Sequence, residues 1–212
     1  MNTKIFIVSP FDVNLYIVWD ENTLDAVAID PGMMRDEERE MVIRFLEENN
    51  LHLTHVLLSH LHVDHICSAR WLADKTGCQV WGSNLDAPLG LALPQQAEMF
   101  GLGIKTEPLT VDHNLADGDT IKIGEITMRV IHTPGHSQGG LSFYLPEENV
   151  LFSGDTIFQS SVGRTDLPGG DMDTLLETIR EKILTLPDET VLAPGHGNTT
   201  TVVDEKYCNP FL

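Results

Sequence analysis

Apolar and polar positions divide the chain into short extended segments and amphipathic stretches. Lys4–Val8, Leu15–Trp19 and Ala26–Ile29 are rich in β-branched and aromatic residues and separated by Pro, Asn and Asp, which predicts an antiparallel start. From Arg35 to Asn49, Met41, Val42, Phe45 and Leu46 fall at helical spacing amid charges, predicting an amphipathic helix laid on a sheet. The run Val56-Leu57-Leu58 reads as a buried strand, and a second helix is expected from about His65 to Lys75, ending at Gly77. Between about Asn84 and Thr110 the periodicity fades, and only Pro94–Phe100 suggests a helix. Strand patterns resume at Thr120–Ile123, Thr127–Ile131, Leu141–Tyr144 and Val150–Phe152, before a helix at about Asp173–Leu184 and a strand at Thr190–Leu192. Two strand-rich halves, each followed by helices and joined without a linker, predict one α/β domain over 1–212. Its expected form is an αββα sandwich of two mixed sheets flanked by helices.

Composition narrows the partners. A chain of 212 residues is long enough to bury a substantial core. Thirteen Lys plus Arg against 32 Asp plus Glu give a formal charge of −19, which repels a phosphate backbone and argues against nucleic acid. Cys67, Cys78 and Cys208 are odd in number and widely spaced, unlike a disulfide framework or a Cys-x-x-Cys metal clip, so a reducing cytoplasm is expected. The N-terminus shows no leader pattern, and no stretch approaches the ~20 apolar residues of a bilayer span, so no membrane association is expected.

The densest chemical signal is Ser59-His60-Leu61-His62-Val63-Asp64-His65, which follows the apolar run 56–58. In extended backbone His60, His62 and Asp64 would share one side and His65 would point elsewhere. The same grammar of apolar strand, small-residue turn and donor recurs at Thr133-Pro134-Gly135-His136, Ser153-Gly154-Asp155 and Ala193-Pro194-Gly195-His196. Five His and two Asp exceed the three or four protein ligands of one zinc and suit two ions, with an Asp as the natural shared ligand. Nitrogen and oxygen donors permit zinc, iron or manganese. His52, His55, His113 and His132 read as structural, His132 also as a partner behind His136, while Cys67, Met33, Met34 and Trp71 read as packing residues. Asp30-Pro31-Gly32 reads as a turn that positions the first helix.

As a set, His60-x-His62-x-Asp64-His65, His136, Asp155 and His196 resembles the metallo-β-lactamase superfamily, in that family's order. The resemblance implies His60, His62 and His136 on one divalent metal ion, Asp64, His65 and His196 on the other, and Asp155 between them, at the edge of the two sheets. Within the superfamily the chain is similar to the short glyoxalase II-like (hydroxyacylglutathione hydrolase-like) hydrolases. The supporting pieces are Ile29-Asp30-Pro31-Gly32, Gly154-Asp155-Thr156, Gly163-Arg164-Thr165-Asp166-Leu167-Pro168-Gly169-Gly170, Pro194-Gly195-His196-Gly197 and Asn209-Pro210-Phe211. Ser59 stands where Thr is usual, Cys67-Ser68 replaces a Gly-rich step, and the helical extension that longer glyoxalase II enzymes carry after the last His is not seen. Arg164 occupies the place of a Lys that contacts glutathione in those enzymes, whereas Asp166 replaces an aromatic contact; the two could instead form a simple ion pair.

What the resemblance implies is hydrolysis of a small-molecule thioester, such as S-lactoylglutathione, by a hydroxide bridging two ions, zinc first among the candidates. Asp64 would be both ligand and the catalytic residue that orients the nucleophile, and Arg164 would bind substrate. Two alternatives are a mono-iron persulfide (sulfur) dioxygenase, which reuses much of this set, and a non-catalytic metal-binding module. A β-lactamase is disfavoured because those enzymes usually carry Cys or Ser where this chain has Asp155. A metal-dependent RNase is disfavoured by the −19 charge.

Overall fold

Two six-stranded sheets lie face to face in the computed structural model, which describes all of residues 1–212. The first sheet contains β1 (Asn2–Val8), β2 (Val13–Trp19), β3 (Asp25–Ile29), β4 (His52–Leu57), β5 (Gln79–Gly82) and β6 (His113–Asn114), in that spatial order. Its first three strands are antiparallel neighbours, and β3 to β6 run parallel. The second sheet is built from β7 (Thr120–Ile123), β8 (Ile126–His132), β9 (Leu141–Leu145) and β10 (Val150–Gly154), which are antiparallel. A small hairpin of β11 (Ile157–Phe158) and β12 (Ser161–Val162) follows. Then β13 (Val191–Pro194) joins parallel to β10, and β14 (Thr200–Thr201) forms the edge. Both large sheets are therefore mixed, as expected.

The alternation of side chains explains the layering. In β3, Val27 and Ile29 face the second sheet, whereas Ala26 and Ala28 face the helices of the first; in β10, Phe152 faces inward and Leu151 outward. The inner layer joins Tyr16, Val18 and Leu57 to Met128, Val130 and Phe143. On one outer face lie α1 (Asp36–Glu48), α2 (Val63–Ile66), α3 (Ala69–Thr76), α4 (Ala87–Leu91) and α5 (Leu93–Met99). On the other lie α6 (Met172–Thr178), which continues as a wider π-type turn over Ile179–Ile183, and α7 (Val202–Cys208). Val42, Leu46 and Leu72 seal the first outer layer, and Leu175, Ile179, Ile183 and Val202 the second.

Two local expectations change. The helix expected from His65 to Lys75 is two pieces, because Ser68 is drawn inward: its N–H donates to Pro31 O (3.1 Å) and its hydroxyl to Met33 O (2.6 Å). Gly77 does end the second piece, at φ 78°. The extended reading of 60–64 also fails, since β4 ends at Leu57 and the backbone turns helical at Val63.

Phe143 is fully buried between the sheets. Phe143→Ala is expected to cost about 3–5 kcal/mol through lost transfer energy and a residual cavity, read from urea unfolding.

Candidate metal centre

Four strand ends meet at one edge of the sandwich. The turn after β4 carries His60 and His62 and runs into α2, which carries Asp64 and His65. The ends of β8, β10 and β13 deliver His136, Asp155 and His196. Glycine permits two of the close approaches. Gly135 sits at φ 127° where a side chain would run into the Leu175 backbone, and one at Gly195 would run into the Asp155 carboxylate and the His65 ring.

All seven predicted donors converge. His136 Nε2 lies 2.9 Å from His62 Nδ1 and 3.2 Å from His60 Nε2. On the other side His65 Nε2 lies 3.2 Å from His196 Nε2, with Asp64 Oδ2 3.7 and 3.4 Å from these two nitrogens. Asp155 reaches both groups: Oδ1 is 3.5 Å from His65 Nε2, and Oδ2 is 3.5 Å from His196 Nε2 and 3.7 Å from His136 Nε2.

The outer nitrogens decide what the inner ones can do. His136 Nδ1 donates to Arg164 O (2.7 Å), His196 Nδ1 to Phe11 O (2.9 Å) and His65 Nδ1 to Asp30 Oδ2 (3.0 Å). Ser59 gives its only hydroxyl proton to Asp30 Oδ2 (2.6 Å) and so accepts from His60 Nδ1 (3.0 Å). In their neutral form these four rings present Nε2 lone pairs inward, beside two carboxylates that are themselves acceptors. Asp155 Oδ1 and His62 Nε2 are buried without a hydrogen-bond partner. Acceptors packed against acceptors are satisfied by positive charge, and this set of nitrogen and oxygen atoms fits divalent cations.

Titration divides the cluster in two. Burial, and then the neighbouring His65, hold His60 well below the usual imidazole range; burial and then His136 bring His62 to about 4. Both are thereby kept neutral, as ligands must be. Burial also works against charging His65 and His196, but the carboxylates win: Asp155 and Asp64 raise His65 well above its ordinary value and His196 to about 10. Burial would raise Asp155 and Asp64 too, yet the charge of His65 and the hydrogen bond with His196 hold both below their usual range. The pocket favours a cation between these residues, whether proton or metal.

Above the donors opens a cleft of about 370 Å³, walled by Phe11, Phe100, Phe158, Val162 and Leu167, with Arg164 among its lining residues. The Arg164 guanidinium is held by Asp166 through two 2.7 Å hydrogen bonds, and both side chains are exposed. Its backbone carbonyl is what orients His136. His132 braces the loop after His136 through Gln138 O (2.9 Å), while the His136 ring is held by Arg164 O instead. His52 pairs with Asp25, His55 meets Trp81 edge-on and His113 lies tilted against it, all outside the site. Cys67 is a free thiol that burial, and then Asp64, push up to about 12.

The sequence reading missed one central residue. Asp30, taken as part of a turn, is buried and accepts hydrogen bonds from Ser59 N (2.7 Å), Ser59 Oγ and His65 Nδ1. A signal was present, since the strand Ala26–Ile29 runs directly into Asp30 and then the Pro31-Gly32 turn, the same three parts with the donor ahead of the turn.

The chain belongs to the metallo-beta-lactamase superfamily, whose family model matches residues 8–196, and its class is that of a metal-dependent hydrolase. It is 39% identical to the hydroxyacylglutathione hydrolase GloC of Haemophilus influenzae, over 100% of this chain and 98% of that protein. Among solved structures it is similar to the BLEG-1 B3 metallo-beta-lactamase, with a TM-score of 0.90 at 38% identity, covering 100% and 99% of the two chains. TTHA1623, solved in a di-iron-bound form, gives a TM-score of 0.87 at 36% identity over 99% and 100%.

Asp30→Asn would set an amide against Ser59 or His65 donors that now meet a carboxylate. Retention of metal during dialysis against a chelator, followed by elemental analysis, is expected to weaken by about 10–100-fold in affinity.

Proposed function

We propose that this protein is a glyoxalase II-like thioesterase that hydrolyses S-lactoylglutathione or a related acyl-thioester at a pair of divalent ions, zinc first among them. In this reading His60, His62 and His136 hold one ion, Asp64, His65 and His196 the other, and Asp155 spans both. The observation that carries it is the acceptor-rich cluster, which contains the triads His60–His62–His136 and Asp64–His65–His196 with Asp155 reaching each. The likeness to a hydroxyacylglutathione hydrolase over the whole length supports the substrate class.

When bound, such ions polarise a carbonyl oxygen and bring the pKa of water from about 15.7 to near 7. The chain's own residues do the rest. Asp64, the carboxylate beside His196 that borders the cleft, orients the attacking water by accepting its hydrogen bond. Aromatic and aliphatic walls shield the scissile bond from bulk solvent, and Arg164 can exchange Asp166 for a carboxylate of the glutathione part. A thiolate leaves readily, with a free-thiol pKa of about 8.5, so no residue is needed to protonate it.

Zinc-loaded protein is expected to carry two ions per chain and to cleave S-lactoylglutathione with kcat/KM on the order of 10⁴ M⁻¹ s⁻¹ or more. Asp64→Asn is expected to lower kcat by at least about 10²-fold. Oxygen uptake with glutathione persulfide, one iron per chain and no thioester turnover would instead establish the dioxygenase. β-Lactam cleavage without thioesterase activity would equally sink the assignment, and a metal-loaded protein inert toward thioesters, lactones, phosphoesters, β-lactams and persulfides would be a binding module.

A further inference from the structure

The turn that carries His60 and His62 is buried yet belongs to neither sheet. His60, Leu61, His62 and Val63 are each no more than 6 % exposed, so water cannot pair their backbone groups. Two side chains from the segment between β5 and β6 do so. Asp86, at the end of a short 3₁₀ turn before α4, accepts from Leu61 N (3.3 Å) through Oδ2. Gln96 of α5 accepts from Val63 N (3.0 Å) through Oε1 and donates through Nε2 to Leu61 O (3.2 Å) and Leu89 O (2.8 Å).

The backbone on both sides of His62 is thus gripped by one amide, and Asp86 adds a second link. Its Oδ2 also accepts from Ser137 Oγ (2.7 Å) and its Oδ1 from Gly139 N (2.6 Å), in the loop that follows His136. A Cβ at Gly139 would lie only 2.7 Å from Asp86 Cγ, so glycine is what lets the carboxylate approach. Asp86 and Gln96 are 2 % and 7 % exposed, and all four of their polar side-chain atoms are engaged. None of these bonds is made to Asp64, His65, Asp155 or His196 themselves, and only Val63 N, at the start of α2, borders the second triad, so the grip falls chiefly on the first.

We propose that Asp86 and Gln96 are positioning residues for the His60–His62–His136 triad, so that the segment 84–99 serves as a cradle for one half of the metal centre. The inference rests on the reading of that triad as a metal site. Gln96→Met keeps the side-chain length and removes all three hydrogen bonds, leaving the buried Val63 N and Leu61 O without those partners.

The test is zinc titration of the full-length protein in competition with a chromophoric chelator, beside thermal melting of the metal-depleted protein. Gln96→Met is expected to weaken one of two binding steps by about 10–100-fold and to leave the other within about threefold. The weakened step should be the one abolished by His62→Ala and retained in His196→Ala. Asp86→Asn, a milder change, should weaken the same step, which keeps the test open if Gln96→Met fails to fold. Equal weakening of both steps in proportion to a lowered melting temperature, or no change in either, would overturn the positioning role while leaving the metal reading intact. A wild-type protein that takes up no zinc would overturn the metal reading itself and this inference with it.

Discussion

Lone pairs facing lone pairs are the constraint on which this molecule turns. Four imidazole rings whose outer nitrogens are tied, and two carboxylates, turn their inner atoms into one small volume, so that in their neutral form the rings add lone pairs where the carboxylates already place them. Such an arrangement in a low-dielectric interior is unfavourable unless positive charge enters, and the rings keep their aim because each is tied from behind. Asp30, Ser59, Arg164 O and Phe11 O act as those ties. The folding energy that sets these outer partners is what makes the inner surface ready for cations rather than collapsed.

The fold serves that constraint through its edges. Strands from both sheets end at the same rim, and each ends in a turn short enough to fix the donor that follows. The first sheet supplies His60 to His65, and the second supplies His136, Asp155 and His196. No single hairpin or helix could bring seven donors of this kind together, because a strand turns only every second side chain to one face and a helix only every third or fourth. The apolar cleft then lies directly over the donors, where Phe11 comes from the first sheet's turn and Phe158 from the small hairpin.

Much of this was legible in the chain. The alternation in Ala26–Ile29 and Val150–Phe152 specified two buried faces, and the repeated strand-turn-donor grammar pointed to each of the seven converging side chains. Two things were not legible, for one physical reason. A two-residue period holds only while ladder hydrogen bonds hold the strand, and after Leu57 the backbone of 59–63 is paired instead by Asp30, Asp86 and Gln96, from distant parts of the sequence. Asp64 therefore comes from a helical turn rather than from the strand face. The segment 84–110 looked featureless because its ordering comes from the same long-range bonds: Gln96 and Asp86 hold it to the His62 turn, and Leu109 N is bonded to Gly90 O at 2.9 Å.

The first sheet also grips the far side of the rim. Asn14 donates to Pro194 O and Gly197 O, Tyr16 donates to Pro194 O at 2.7 Å, and Asn14 N donates to Gly195 O. His196 is thus stitched to one layer by backbone and to the other by descent. A cation seated among donors from both layers works as a fastener between them, so occupancy and cohesion become a single linked equilibrium. Each tenfold excess of free ion over its dissociation constant would tighten the whole sandwich by about 1.4 kcal/mol.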